Sequence, residues 1–371
     1  MRTEPFGVEE WMNAHEGRAE FNLAETCVSS LRVEELLDIA GVNDRLESLL
    51  DMRLTYGAIE GSARLRDAIA GLFGRQSRDN VLVTHGAIGA NSLVYQSLVE
   101  AGDRVVAIVP NYQQHYSIPE SLGAEVVKLH LSEKTGFLPD LEALEALVGA
   151  GAKMISMTNP NNPTGALMDA AYLEQVVDIA RKSGAWLLCD EVYRGTEQTG
   201  DGVTPSVADL YERGISTGSM SKAFSLAGLR LGWMAGPREL LDKAMIHRDY
   251  NTISVGKIDD HLATLALENV DKIRARSRSI CRKNLALLDA WIASEARLSY
   301  VKPKAGTTAL VKLDLVVPSA EFCIRLQEET GVMFLPGSAI GMEGYVRIGY
   351  AFERDVLREG LERVSEFLAQ F

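Results

Sequence analysis

Between Asn80 and Ala235 the chain repeats one pattern: a short apolar run, a polar cluster at its end, then a helical stretch. The runs are Asn80-Val81-Leu82-Val83-Thr84, Val105-Val106-Ala107-Ile108-Val109, Lys153-Met154-Ile155-Ser156-Met157-Thr158, Ala185-Trp186-Leu187-Leu188-Cys189 and the β-prone stretch from Ile215. Near-continuous apolar runs of this length fit strands covered on both faces. Strands alternating with helices predict an α/β fold with right-handed βα units and helices on both faces of the sheet. Ligands in such open sheets sit beyond the carboxyl ends of the strands. The polar clusters that close the runs are therefore where chemistry is expected.

The most telling cluster follows the last run. Gly218-Ser219-Met220-Ser221-Lys222 leads into a small-residue segment, with Arg230 eight positions beyond the lysine. Two hydroxyls beside a lysine can hold a phosphate while the amine reaches a carbonyl carbon, the chemistry of a Schiff base to pyridoxal 5′-phosphate (PLP). Alone, the motif also describes an ordinary solvated lysine. Asp190, in Asp190-Glu191-Val192-Tyr193, could pair with a pyridinium nitrogen, since opposite charges favour each other's ionised forms. It could equally cap a helix. Asn159-Pro160-Asn161-Asn162-Pro163-Thr164-Gly165 could be no more than a rigid turn.

Their joint order carries more weight than any one of them. Asn162, Asp190, Lys222 and Arg230 are spaced by 28, 32 and 8 residues, each after a β-like run. From about Leu54 to Ala351 the chain resembles the class I/II aminotransferases of PLP fold type I. That resemblance implies a mostly parallel seven-stranded sheet in a large domain (41–275), and a smaller α/β domain built from 1–40 and 276–371. It implies PLP on Lys222, which would also shuttle the proton at the substrate α-carbon, with Asp190 on the pyridine nitrogen and Asn162 and Tyr193 on the ring oxygen. Ser219, Ser221 and Arg230 would take the phosphate.

Further site residues come with the resemblance. His85-Gly86-Ala87-Ile88-Gly89-Ala90-Asn91 reads as a small-residue turn opening a helix near Ser92. Free N–H groups there suit an anion, so Gly86, Ala87 and Ile88 are expected as backbone donors to the phosphate. Tyr112 matches the aromatic residue that stacks on the ring, Arg347 the arginine that grips the substrate carboxylate, and Tyr56 the tyrosine that reaches a neighbouring subunit's phosphate. The last implies a homodimer with shared sites. Tyr56 precedes an amphipathic helix read from Ser62 to Phe73, with Leu65, Ile69 and Leu72 on one face.

One segment departs from the pattern. Family members often carry a glycine loop after the first short strand, whereas Phe21-Asn22-Leu23-Ala24-Glu25-Thr26-Cys27-Val28-Ser29-Ser30 has no glycine. The expectation is that Glu25 faces the pocket and meets a basic or polar substrate group, as in capreomycidine-synthase-like members that cyclise an arginine derivative. A solvated glutamate before a helix at Val33 is the plainer reading.

Composition sets the outer bounds. A 371-residue chain with 46% apolar residues supports two domains. A net charge of −13 without a basic cluster argues against nucleic-acid or anionic-membrane partners. No run approaches a spanning helix, no signal-peptide core opens the sequence, and Cys27, Cys189, Cys281 and Cys323 lack metal or disulfide spacing. No metal is expected, and the setting is read as cytoplasmic. The expected activity is transfer of an amino group from an α-amino acid to a 2-oxo acid through a Lys222 Schiff base. The same residues would serve a lyase, β-replacement enzyme or cyclase.

Overall fold

The computed structural model describes residues 3–42 and 47–371. Its strands in chain order are β1 Phe21–Asn22, β2 Val81–Thr84, β3 Arg104–Val109, β4 Glu125–His130, β5 Met154–Thr158, β6 Trp186–Asp190 and β7 Gly214–Ser219. They continue as β8 Gly232–Ala235, β9 Leu298–Tyr300, β10 Thr308–Leu313, β11 Val332–Met333, β12 Leu335–Pro336 and β13 Tyr345–Gly349. Seven of them form one mixed sheet in the order β2-β8-β7-β6-β5-β3-β4. All neighbours are parallel except β8, which runs antiparallel to both β2 and β7.

Burial explains the apolar runs. Every residue of β5, β6 and β7 is buried. Leu187 and Cys189 feed one core cluster, and Trp186 and Leu188 feed another on the opposite face. Successive side chains of a strand alternate faces, so a run with no polar alternation is what two covered faces require. Burying one Leu or Ile fully is worth about 1.5–3 kcal/mol, so exposing either face would cost the fold heavily.

A second, antiparallel sheet follows in the order β12-β13-β10-β9, and β1 pairs with β11 in a parallel two-stranded ribbon. Phe322, Val346, Ile348 and Phe367 lie in its core. The helix Val270–Ser294 runs between the two regions. The helix expected over 62–73 stops sooner, spanning Ala63–Ala70. Ser62 caps its start, and Gly71, a poor helix former, sits at its end, leaving Leu72 beyond it though still buried in the same cluster. Among the described residues no helix is long and apolar enough to cross a membrane.

One helix placement corrects the sequence reading with consequence for the site. The stretch 86–91 is not a turn before a helix at Ser92. The helix itself spans Gly86–Leu98, with His85 as its N-cap residue. Ala87 and Ala90 are good helix formers, and only Gly86, at φ +68°, departs from helical backbone.

Candidate active site

The carboxyl ends of β3, β5, β6 and β7 and the start of the helix after β2 open onto one cavity of about 340 Å³. It brings together Gly86, Ala87, Ile88, Tyr112, Asn162, Asp190, Tyr193, Ser219, Ser221, Lys222, Arg230, Arg347 and Glu25. Tyr56 is the one expected site residue outside it, 83% exposed on the surface.

The wall nearest β2 is built for an anion. The first N–H groups of a helix have no partner inside it, and those of the helix Gly86–Leu98 lie at the cavity beside Ser219, Ser221 and Arg230. Arg230 lies in the left-handed region at φ +47° and donates to the Ala227 carbonyl at 2.9 Å and to Ser221 Oγ at 3.4 Å. Gly232 lets β8 pass directly behind this wall. A Cβ there would sit 2.5 Å from the Ala87 nitrogen.

At the floor, Asp190 accepts a hydrogen bond from Asn91 Nδ2 at 2.9 Å and from the Val192 N–H at 3.1 Å. Thr217 donates to the Asn91 oxygen at 2.7 Å, which turns the amide nitrogen toward Asp190. His115, fully buried, places Nε2 3.6 Å from the same carboxylate, and that nitrogen has no hydrogen-bond partner. Its Nδ1 lies 3.0 Å from both Ser156 Oγ and the Tyr95 hydroxyl. The sequence reading assigned no role to Asn91, His115 or Thr26. Asn91 stands four residues after Ala87 and His115 three after Tyr112. Ala87 and Asn91 share a face of the helix Gly86–Leu98, a signal available once that helix is started correctly, whereas His115 lies in the helix Gln114–Ser121 and Tyr112 in the loop before it.

Opposite the anion wall, Lys222 points its amine at the N-terminal segment, donating to Thr26 Oγ1 at 2.5 Å and to Cys27 Sγ at 3.5 Å. Burial works against the Lys222 charge, but nearby groups outweigh it and the amine's pKa rises above its ordinary value. Of those groups, burial pushes the Tyr193 hydroxyl upward and the Cys27 thiol up to about 11, so both are neutral at neutral pH. The remaining counter-charge is Glu25. Burial would raise its pKa, but the Lys222 ammonium and the N–H donors of Thr26 and Cys27 prevail, and it falls below the usual value. Glu25 Oε1 accepts those N–H groups at 2.6 and 2.8 Å, so this carboxylate closes its own loop as well as lining the pocket.

Arg347, on β13, is 3% exposed. It donates to Asn162 Oδ1 at 3.3 Å and to the Ala24 carbonyl at 3.0 Å, while its buried Nε has no partner. Burial depresses its pKa. An orphaned guanidinium nitrogen in a cavity suits a ligand carboxylate.

The outer wall is the helix Gly7–His15. Trp11 Nε1 donates to the Phe334 carbonyl, the Gly7 N–H donates to Gln113 Oε1, and Phe6 lies against Tyr112 with ring centroids 4.6 Å apart. Val8, Glu9, Met12 and Asn13 thus line the cavity together with Glu16, and Glu9 accepts from the Tyr112 hydroxyl at 2.7 Å.

An amine, a buried carboxylate, helix N-terminal N–H groups beside two hydroxyls and an arginine, and an aromatic line one cavity and fit PLP, whose amine-reactive, pyridine and phosphate groups each have a chemically matched partner there. Comparison with known proteins points the same way. The family model described as aminotransferase class I and II matches residues 33–364. Capreomycidine synthase from Streptomyces vinaceus is 29% identical, over 97% of this chain and 93% of its own length. A PLP-dependent aminotransferase from Streptococcus suis is 43% identical, superimposing with a TM-score of 0.96 over 100% of this chain and 99% of that one. The PLP-dependent cyclase OrfR is 27% identical, with a TM-score of 0.92 over 100% of this chain and 98% of its own. With the family model covering most of its length, the chain belongs to the class I and II aminotransferases, a PLP-dependent family.

Proposed function

We propose that this chain is an amino-acid aminotransferase that holds PLP on Lys222 and passes the amino group of an α-amino acid to a 2-oxo acid. The observation that carries this reading is the shared cavity of the Lys222 amine, the Asp190 carboxylate and the Arg347 guanidinium. PLP, when bound, supplies an electron sink for a substrate whose α-carbon loses a proton. Asp190, held by Asn91 and Val192, would pair with the pyridine nitrogen. Asn162 and Tyr193 would donate to the ring oxygen, and Tyr112 would lie against the ring. Ser219, Ser221, Arg230 and the N–H groups of 86–88 would hold the phosphate. Arg347 grips the substrate carboxylate and so fixes which α-carbon bond faces the Lys222 Nζ, the group that takes and returns the proton. Residues 41–275 form the large domain in this reading, with 1–40 and 276–371 closing on it.

A homodimer completes the proposal. Leu54, Tyr56, Ile59, Tyr250, Ile253 and Ile258 are large exposed apolar or aromatic residues on two adjacent segments, joined where Lys257 donates to the Arg53 carbonyl. Such a patch suits a second copy, whose Tyr56 would reach the phosphate wall.

A second reading has its own support. Glu9, Glu16 and Glu25 line one pocket of an amino-acid enzyme, which favours a cationic side chain. Arginine-derived substrates would then be bound, and cyclisation becomes the alternative outcome, consistent with what capreomycidine synthase and OrfR are named for.

Absorption spectra of the PLP-loaded protein, titrated with single amino acids including arginine and ornithine, separate the two. A donor that bleaches the visible band, with recovery on adding a 2-oxo acid, is the expected result. A cyclised product without 2-oxo acid formation replaces transfer by cyclisation. No visible band with added PLP overturns both.

A further inference from the structure

The segment that replaces the family's glycine loop is wedged between the two sheets. Gly349 N–H donates to the Leu23 carbonyl at 2.7 Å, and Thr307 Oγ1 donates to the Thr26 carbonyl at 2.7 Å. Both partners belong to the smaller sheet region. On the other side, Leu31 N–H donates to the Ser225 carbonyl at 2.9 Å, and Val28 N–H approaches the Lys222 carbonyl at 3.4 Å. The path is tight: a Cβ on Gly349 would fall 1.7 Å from the Glu25 carbonyl oxygen.

Thr26 sits at the centre of this wedge, 9% exposed. Its N–H goes to Glu25, its carbonyl to Thr307, and its hydroxyl to Lys222, with the Tyr193 hydroxyl also facing its side chain. Every polar group of the residue therefore has an assigned neighbour. A glycine at this position would leave the Lys222 amine without its nearest acceptor.

We propose that Thr26 is a positioning residue for Lys222: its hydroxyl accepts the lysine amine and pins it between the two sheets whenever the cofactor does not hold it. The side-chain hydroxyl does this work; the neighbouring Cys27 thiol, at 3.5 Å and pushed toward its neutral form by burial, is the weaker acceptor. The Thr26 N–H holds the Glu25 carboxylate nearby, so one residue supplies the lysine's acceptor and anchors its counter-charge. The significance for catalysis rests on Lys222 being the reacting amine, but the contact itself belongs to the cofactor-free chain.

The test reads the amine directly. PLP-free protein is pulsed with limiting acetic anhydride across the alkaline range. Label on the Lys222 peptide is then quantified by mass spectrometry against that on exposed Lys134. A hydrogen bond to the ammonium suppresses the reactive free amine. Losing one such bond is expected to give roughly tenfold more label at about pH 8 in Thr26→Val, the scale of a single charged hydrogen bond. Thr26→Ser, which keeps the hydroxyl, is expected to match the parent protein, and Cys27→Ala to change the labelling much less than Thr26→Val. Coincident labelling of Thr26→Val and the parent overturns the proposal. So does Thr26→Ser behaving like Thr26→Val, or a Cys27→Ala change as large as that of Thr26→Val. Borohydride fixation of PLP to Lys222, run in parallel, reports on the cofactor reading separately.

Discussion

Arg347 reaches from β13 to the side-chain oxygen of Asn162, 3.3 Å away in the loop that follows β5. The contact joins the two sheets where, in the proposed reading, a substrate carboxylate would bind, and the buried Arg347 Nε has no partner among the described residues. Arg347→Lys keeps the charge but not the fork geometry. At about 1.5–3 kcal/mol for a charged hydrogen bond, kcat/KM for the best amino donor is expected to fall roughly 10- to 100-fold, chiefly through KM. Steady-state kinetics checks this.

Lys222→Ala removes the amine that both holds the cofactor and moves the proton in the proposed reaction. Turnover is expected to drop by at least about 10²–10⁴-fold, the range for loss of general acid–base catalysis. The intact mass after borohydride treatment with PLP should show no added cofactor. Retained turnover would remove the central assignment.

Gly232→Ala puts a methyl group against the backbone of Gly86 and Ala87, at 2.4–2.5 Å. The start of the helix must shift, and the anion wall with it. Overpacking of this kind costs about 1–3 kcal/mol, so PLP affinity should weaken roughly 10- to 100-fold in an absorbance titration. The same change at Gly228, which has open space around it, should leave affinity unaltered.

Glu25 has a folded pKa below its ordinary 4.5. A depressed carboxyl stabilises the fold above its unfolded pKa, and that stabilisation disappears as the pH falls through the folded value. Melting temperatures of the PLP-free protein and of Glu25→Gln should therefore differ at pH 6 to 7, with the variant lower, and converge as the pH falls below 4.5 and through the folded value. Equal melting temperatures throughout would show that the carboxylate contributes nothing to holding the segment.

Tyr250, 92% exposed, lies in the apolar patch assigned to a second copy. A charge buried in an apolar interface is costly, so Tyr250→Asp should shift the sedimentation behaviour toward monomer. Activity should fall with it, since the proposed Tyr56 contribution comes from the neighbour. A parent protein that sediments as a monomer would remove the dimer.

The parts of the site legible in the sequence are those fixed by strand ends. Asn162, Asp190 and Lys222 each follow a buried run, and such runs announce themselves by lacking polar alternation. Asn91, His115 and Thr26 were not legible in the same way. Asn91 depends on where a helix begins, and six residues of error at Gly86 hid the face that it shares with Ala87. His115 is placed by Tyr95, Ser156 and Asp190, which come from three other elements. Thr26 depends on a contact spanning 196 residues, which no local pattern encodes. The helix Gly7–His15 was invisible as a pocket wall for a related reason: its place is set by Trp11, Gly7 and Phe6 meeting partners more than a hundred residues away.

In the proposed reading, that first helix is a selectivity surface separable from the chemistry. Glu9, Asn13 and Glu16 face the cavity yet are largely exposed, and none belongs to a core cluster. The catalytic floor, by contrast, is made of strand ends that cannot change without disturbing the sheet. Substitutions along one exposed helical face can therefore retune which side chain is admitted while the chemistry beneath stays intact, so new substrates are within reach of a few mutations that the fold barely registers.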